Sequence, residues 1–209
     1  MSITLIIVII TCIVSFLALN NQKILDDLIF YPPAVTNQKQ WYRFLTCALV
    51  HADYVHLGFN MFSFYSFGNY VEDAFKYYFG TLGPILYVAL YVISQVLCLL
   101  PTYAKHKDDY YYRSLGASGA VSAVIFAGIF LSPLLPMGIM FIPIPIPGFI
   151  FGFLYLALTA YLDRRGGGGI NHSAHLFGAL AGIGLVIVFG FAFAHENLLQ
   201  NFIQQIRRF

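Results

Sequence analysis

Three short groups of polar residues stand out in an otherwise apolar chain: His56 with Asn60, Gly116-Ala117-Ser118-Gly119 with Ser122, and Asn171-His172-Ser173-Ala174-His175. Polar side chains within apolar helices are costly, and each needs a reason. A serine hydroxyl beside a neutral histidine is a nucleophile beside its base. A triad would also need a buried acid. No Asp or Glu occurs between Tyr110 and Leu162, or between Arg164 and His195. The chemistry on offer is therefore a serine–histidine dyad. Each group also has a plainer use. Gly-Ala-Ser-Gly in an apolar helix is a common packing motif, and an intramembrane asparagine is commonly interhelical glue. A metal is the competing use of histidine. His172 and His175 share a helical face, but His51 and His56, five apart, are about 140° around a helix. Neither an HExxH pattern nor cysteine spacing supports a site, so we expect neither metal nor cofactor. Cys12, Cys47 and Cys98 read as small buried hydrophobes.

The elements that must carry these groups follow from composition. Of 209 residues, 59% are apolar and 10% charged, with a net charge of +2. Soluble domains carry about 25% charged residues. This excludes a disordered chain, a nucleic-acid binder and an ordinary soluble enzyme. It predicts an all-α polytopic membrane protein, a single membrane domain over residues 1–209. Long apolar runs predict six spanning helices. The first is Ile3 to Leu19, expected to be a retained helix and not a signal peptide. The second is about Tyr54 to Phe79, the third about Leu82 to Leu100, ending at Pro101. The fourth is about Gly116 to Leu131, the fifth about Phe149 to Leu162, the sixth about His172 to Ala194. Between the first two lies a long loop, Asn20 to Asp53, too polar to span and expected at the interface. Five prolines between Pro133 and Gly148 preclude regular helix there. Four glycines, Gly166 to Gly169, predict a flexible turn, and residues 196–209 an amphipathic surface segment.

Helices two, four and six run in the same direction, so Asn60, Ser118 and His175 can lie at similar depth. Gly178 and Gly182 form a small-residue stripe on the face of His175, and Gly116, Gly119 and Ala123 do similar work on helix four. Missing side chains let two helix backbones approach closely. At about 1.5 Å per residue, helix four is about 24 Å long, short of a hydrocarbon core of about 30 Å. Its start should be sunk below one surface, in a cavity lined by Asn60, Ser122, His51 and His172.

Taken in order, these residues resemble the rhomboid family of intramembrane serine proteases, over about residues 41 to 184 and in outline the six-helix core (about 41–195). The matching pieces are Trp41-Tyr42-Arg43, His51, His56-Leu57-Gly58-Phe59-Asn60-Met61, Gly116-Ala117-Ser118-Gly119, and Ala174-His175 followed by Gly178 and Gly182. The resemblance implies that Ser118 is the nucleophile and His175 the general base. It implies an oxyanion hole from His56, Asn60 and the Ser118 amide, with Gly116, Gly119 and His51 supporting. Arg43 and Glu72 match positions that brace the first loop. Ser122 stands where a tyrosine often packs beneath the catalytic histidine, and His172 where an amide is frequent. The implied substrate is a transmembrane segment of another protein in the lipid bilayer, with helix five or the loop before it as the lateral gate. The oligomeric state is not legible.

Charge conflicts with the family over orientation. The catalytic face carries Lys23, Lys39, Arg43, Lys105, Lys107, Arg113, Arg164 and Arg165, and the other face Lys76, Arg207 and Arg208. The positive-inside rule would turn the catalytic face to the cytoplasm, whereas the family opens it outward. We expect the outward arrangement, in a plasma or inner membrane. Two other classes compete: a rhomboid-like protein that binds membrane helices without cleaving them, and a small transporter. The latter is disfavoured by the lack of intramembrane carboxylates and of an internal repeat.

Overall fold

The computed structural model describes every residue except 140, 141, 167, 168 and 195. Its framework is helical, and the apolar runs become its long helices: α1 (Ile3–Leu19), α5 (Tyr54–Phe79), α6 (Gly83–His106), α7 (Ser118–Leu131), α8 (Gly148–Arg165) and α9 (His172–Phe193). Between α1 and α5 the chain folds into three short helices, α2 (Gln22–Leu28), α3 (Pro32–Gln38) and α4 (Arg43–Thr46), and a 3-10 turn, Cys47–Leu49. A two-stranded antiparallel ribbon, β1 (Pro136–Ile139) with β2 (Ile142–Pro147), fills the proline-rich stretch. The last element is α10 (Leu198–Arg207). The stretches Tyr54–His106, which is α5 plus α6, and His172–Phe193 are long and apolar enough to cross a membrane, whereas α1 and α7 are shorter apolar helices.

Local chemistry sets the boundaries. The Asp53 side chain accepts the His56 N–H at 2.7 Å and starts α5. Asn171 does the same for Ala174 at the start of α9, and Asn197 for Gln200 at the start of α10. Gly80, with φ 56°, ends α5 and lets α6 return antiparallel. Phe75 then meets Tyr87, and Phe64 meets Tyr91. The expectation that the third helix stops at Pro101 is not met: α6 continues to His106. Proline removes only one donor here, and tertiary contacts hold the last turns. Thr102 bonds Asn171, and Tyr103 packs edge-on against Phe44. Within the expected glycine turn, Gly166 and Gly169 both take φ 68°, while Gly167 and Gly168, like His195 at the expected end of the core, fall outside the described residues.

α7 is the axis of the molecule. Every one of its residues is buried except Ser118 and Ile125, which are half-buried. A helix buried all round must be surrounded by others, and α7 packs against α5, α6, α8 and α9. The main core lies between α5, α6 and α7, with Phe64, Phe75, Tyr87 and Leu90 at its centre. A second core, of Phe30, Val35, Phe44, Cys47, Cys98, Leu99 and Ala174, ties residues 20–53 to α6 and α9. Arg43 holds that region from inside. Its Nη1 donates to the carbonyls of Asp26 and Ile29 at 2.8 and 2.7 Å, and its Nε to Gln40 Oε1 at 2.6 Å.

Glu72 does not join Arg43 in bracing the first loop. It lies at the other end of α1, where its carboxylate accepts the N–H groups of Ile3 and Thr4 and the Thr4 hydroxyl. A carboxylate there satisfies free N–H groups at a helix start and complements the helix dipole. Thr4 also meets the Tyr87 hydroxyl at 2.8 Å, so one cluster joins α1, α5 and α6. Cys47 and Cys98 are buried as expected, whereas Cys12 is half-buried.

Candidate active site

The site starts from the crossing of α7 and α9. A Cβ on Gly178 would collide with the Gly119 carbonyl oxygen, and one on Gly182 with the Ala123 carbonyl oxygen. Backbone cannot rotate aside as a side chain can, so both positions admit only glycine at this spacing. The expected small-residue stripe thus brings two backbones together. Gly119 in turn faces Cys98 of α6 and the Ala174 carbonyl, so three helices meet there. At the rim of this crossing His175 Nε2 lies 2.6 Å from Ser118 Oγ. Residues 57 apart in sequence are joined by one hydrogen bond.

The backbone before Ser118 is held from the α5 side. Gly116 has φ 107°, a conformation side-chain-bearing residues rarely adopt. A Cβ there would also lie 2.8 Å from His56 Cε1. The Gly116 N–H donates to the Cys47 carbonyl at 2.9 Å. The Ala117 N–H points to His51 Nε2 at 3.4 Å, and His51 Nδ1 lies 2.8 Å from Ser15 Oγ. The Ser15 hydroxyl donates its one hydrogen to the Leu49 carbonyl, at 2.7 Å. His51 Nδ1 must therefore carry a proton and donate to Ser15, leaving the Nε2 lone pair for Ala117. His51 is fully buried. Burial, and then the neighbouring His56, push its pKa down to about 3, so the ring is neutral, as this wiring requires. α7 itself has no side-chain cap at its start. Its first N–H groups are those that lack a partner inside a helix.

Not every expected residue lines an opening. Ser118, His56, His172 and His175 are half-buried and form the accessible rim, whereas His51, Asn60 and Ser122 are buried. The expected cavity lined by Asn60, Ser122, His51 and His172 is therefore corrected to a rim of one serine and three histidines. Asn60 Nδ2 donates to the His56 carbonyl at 3.0 Å, one turn back along α5. His172 stands edge-on to His175 with ring centres 6.2 Å apart. Among the described residues, no three His, Cys, Asp or Glu side chains gather where a metal could be held.

Two partners, Ser15 and Tyr155, were missed in the sequence, and Asn171 was singled out without its role. Ser15 anchors His51 from α1. Asn171, besides capping α9, joins Thr102 of α6 and lies 3.4 Å from Ser114 Oγ. Tyr155 of α8 places its hydroxyl 3.2 Å from Ser122 Oγ.

Comparison with known proteins agrees with this architecture. The Rhomboid domain profile matches residues 38–191, which include Ser118, His175 and all of the rim. RHOMBOID-like protein 12, mitochondrial, of Arabidopsis thaliana is 30% identical over 143 residues, 65% of this chain and 42% of that protein. A Bacillus subtilis protein named "Putative rhomboid protease YdcA" is 27% identical over 75% of this chain and 71% of its own length. Rhomboid-like protein 11, chloroplastic, of Arabidopsis is 29% identical over 72% of this chain and 53% of its own. The match thus spans about half the length of the two plant relatives. A largely helical, integral membrane chain that carries this domain over most of its length belongs to the rhomboid family.

Proposed function

We propose that the protein is an intramembrane serine endopeptidase that cleaves transmembrane segments of other membrane proteins. The observation that carries this reading is the 2.6 Å contact between Ser118 Oγ and His175 Nε2 at a half-buried rim. In the working tautomer Nε2 is unprotonated and accepts the Ser118 proton as the oxygen attacks a peptide carbonyl. The charge that develops on the carbonyl oxygen is met by the Ser118 amide at the uncapped start of α7 and by Asn60 and His56 from α5. A helix N-terminus favours that charge. His175 then returns the proton to the leaving amine, and water releases the acyl group from Ser118. Gly116 and His51 act indirectly, by fixing the backbone from which Ser118 projects.

On this reading α1, α5, α6, α7, α8 and α9 are the six spans, and residues 20–53 lie in the interface. α7, at 14 residues, is about 21 Å long and too short for a core of about 30 Å. Its N-terminus is thereby sunk beneath one surface, where water reaches the rim. That surface is extracytoplasmic, against the charge bias of the loops. Three of the eight basic residues on that face, Lys23, Lys39 and Arg43, lie in residues 20–53, which pack on the helices and are held by buried Arg43.

The test is cleavage of a membrane-embedded model substrate, with labelling by a fluorophosphonate. Ser118→Ala and His175→Ala should each lower cleavage by at least about 10⁴-fold, because the pair acts as a unit. Labelling should vanish in Ser118→Ala. Equal cleavage by wild type and Ser118→Ala would defeat the reading. A folded wild type that neither labels nor cleaves is instead a binder of membrane helices.

A further inference from the structure

The glycine crossing fixes how close α7 and α9 come, but it begins at Gly178, beyond His175. The first turn of α9, from which His175 projects, is held by other means. Its own ladder is long there, since the His175 N–H reaches the Asn171 carbonyl at 3.4 Å, and the first N–H groups of a helix lack partners within it. Ala174 is buried beside Cys98 and Leu99, an apolar contact without direction. The directed contacts come from Asn171. Its Oδ1 accepts the Ala174 N–H at 3.0 Å. That contact fixes which way the amide faces and leaves Nδ2 for other segments. Nδ2 donates to Thr102 Oγ1 of α6 at 3.1 Å and faces Ser114 Oγ at 3.4 Å. Ser114 is itself anchored, because its N–H and carbonyl pair with those of Phe30 at 3.0 and 2.9 Å, and Phe30 is fully buried. Asn171 lies four residues before His175, and Ser114 four residues before Ser118. One amide therefore joins the two segments that deliver the dyad and ties both to α6.

We propose that Asn171 is a positioning residue of the dyad: through Ala174 on one side, and Ser114 and Thr102 on the other, it holds His175 in register with Ser118. The proposal rests on the protease reading above and adds a residue to that site. Among the described residues its side chain bonds neither Ser118 nor the His175 ring, so it acts through the backbone. In a triad a buried acid holds the base in place. Here a neutral amide steadies the turn that carries the base, and no charge has to be buried to do it. The amide has two separable duties. Its oxygen caps α9, and its nitrogen reaches across to Thr102 and Ser114. A serine at position 171 can perform the first but is too short for the second.

The experiment compares wild type, Asn171→Ser, Ser114→Ala and the double variant. The readouts are kcat and KM for a transmembrane substrate, the rate of fluorophosphonate labelling at Ser118, and detergent melting. Serine caps a helix as well as asparagine does, so Asn171→Ser keeps the start of α9 and removes only the reach of Nδ2. Its kcat and its labelling rate should both fall about tenfold, the scale of one lost net hydrogen bond, with KM and melting close to wild type. Ser114→Ala should lower both about threefold to tenfold. The double variant should lose no more than Asn171→Ser, because both act through one contact. If Asn171→Ser melts early, Ser114→Ala decides by the same criterion. Wild-type kcat and labelling in Asn171→Ser, a rise in KM alone, additive losses in the double variant, or activity that falls only in step with melting would each overturn the positioning role. The protease reading then still stands if wild type labels and cleaves. A wild type that does neither overturns both.

Discussion

At the α7–α9 crossing, glycines stand where any side chain would meet a backbone carbonyl. Along α8 the inward stripe also carries two glycines, Gly148 and Gly152, but with more room: a built Cβ on either has no neighbour closer than 3.3 Å. Gly178 and Gly182 face the Gly119 and Ala123 carbonyls, whereas Gly152 faces the ring edge of Phe126. A ring can turn by a few degrees; a helical carbonyl cannot move without its helix. One contact therefore fixes the separation of two helices, and the other tolerates a small adjustment. Ser118 and His175 meet at the first, and Tyr155 meets Ser122 at the second. On the proposed reading, chemistry that needs its two atoms at hydrogen-bond distance is placed on the unyielding contact.

Substitutions that add a methyl group to each side test this contrast. Gly178→Ala should be the most damaging. Overpacking costs about 1–3 kcal/mol, and a displacement of about 1 Å between reacting groups costs on the order of 100-fold in rate. Melting and fluorophosphonate labelling should both fall. His51→Gln should come next, with labelling down about tenfold, the scale of one lost net hydrogen bond to the Ala117 amide. The same residue gives a pH signature. Its folded pKa, about 3, lies below the ordinary value of about 6.5. The stability it contributes is therefore fully present above about pH 6.5 and lost as pH falls from there toward 3. Wild-type melting temperature should drop between pH 7 and pH 4, and His51→Gln should show a shallower slope. Gly152→Ala should cost no more than about 1 kcal/mol and leave labelling intact. A loss equal to that of Gly178→Ala would erase the distinction between the two contacts. Gly184, also on α9, has nothing within 4 Å of a built Cβ. Gly184→Ala should be neutral or stabilise by about 0.5 kcal/mol, from helix propensity alone.

What could be read in advance followed the range of the interactions. α5 runs from Tyr54 to Phe79 as expected, because Asp53, the apolar run and Gly80 mark it locally. Ser118, His175 and the Gly178–Gly182 stripe were legible because a scarce polar residue beside small ones stands out in an apolar helix. Their joining in space was inferable only because helices four and six share a direction. Pro101 misled because the packing that carries α6 past it, Thr102 on Asn171 and Tyr103 on Phe44, comes from distant segments. Glu72 was assigned to the wrong partner for the same reason, since nothing near it in sequence points to Thr4. Ser15 is an unremarkable serine in an apolar helix, and Tyr155 is one of 15 tyrosines. A hydroxyl becomes a site component through what lies opposite it, which sequence order alone does not reveal. Ser122 did carry a signal, as a small residue where the family often has a ring. Its pairing with a tyrosine from another helix is the form that departure takes.

The two halves of the dyad lie on α7 and α9, and α9 is the last long helix of the described chain. As ribosomes deliver helices into a membrane in order, Ser118 enters well before His175 exists beside it. A nascent chain that has placed its helices only as far as α7 holds a serine without a base. On the proposed reading, the enzyme is inert throughout its own biogenesis. It gains its activity only when α9 docks on α7, so the order of insertion itself keeps it silent until then.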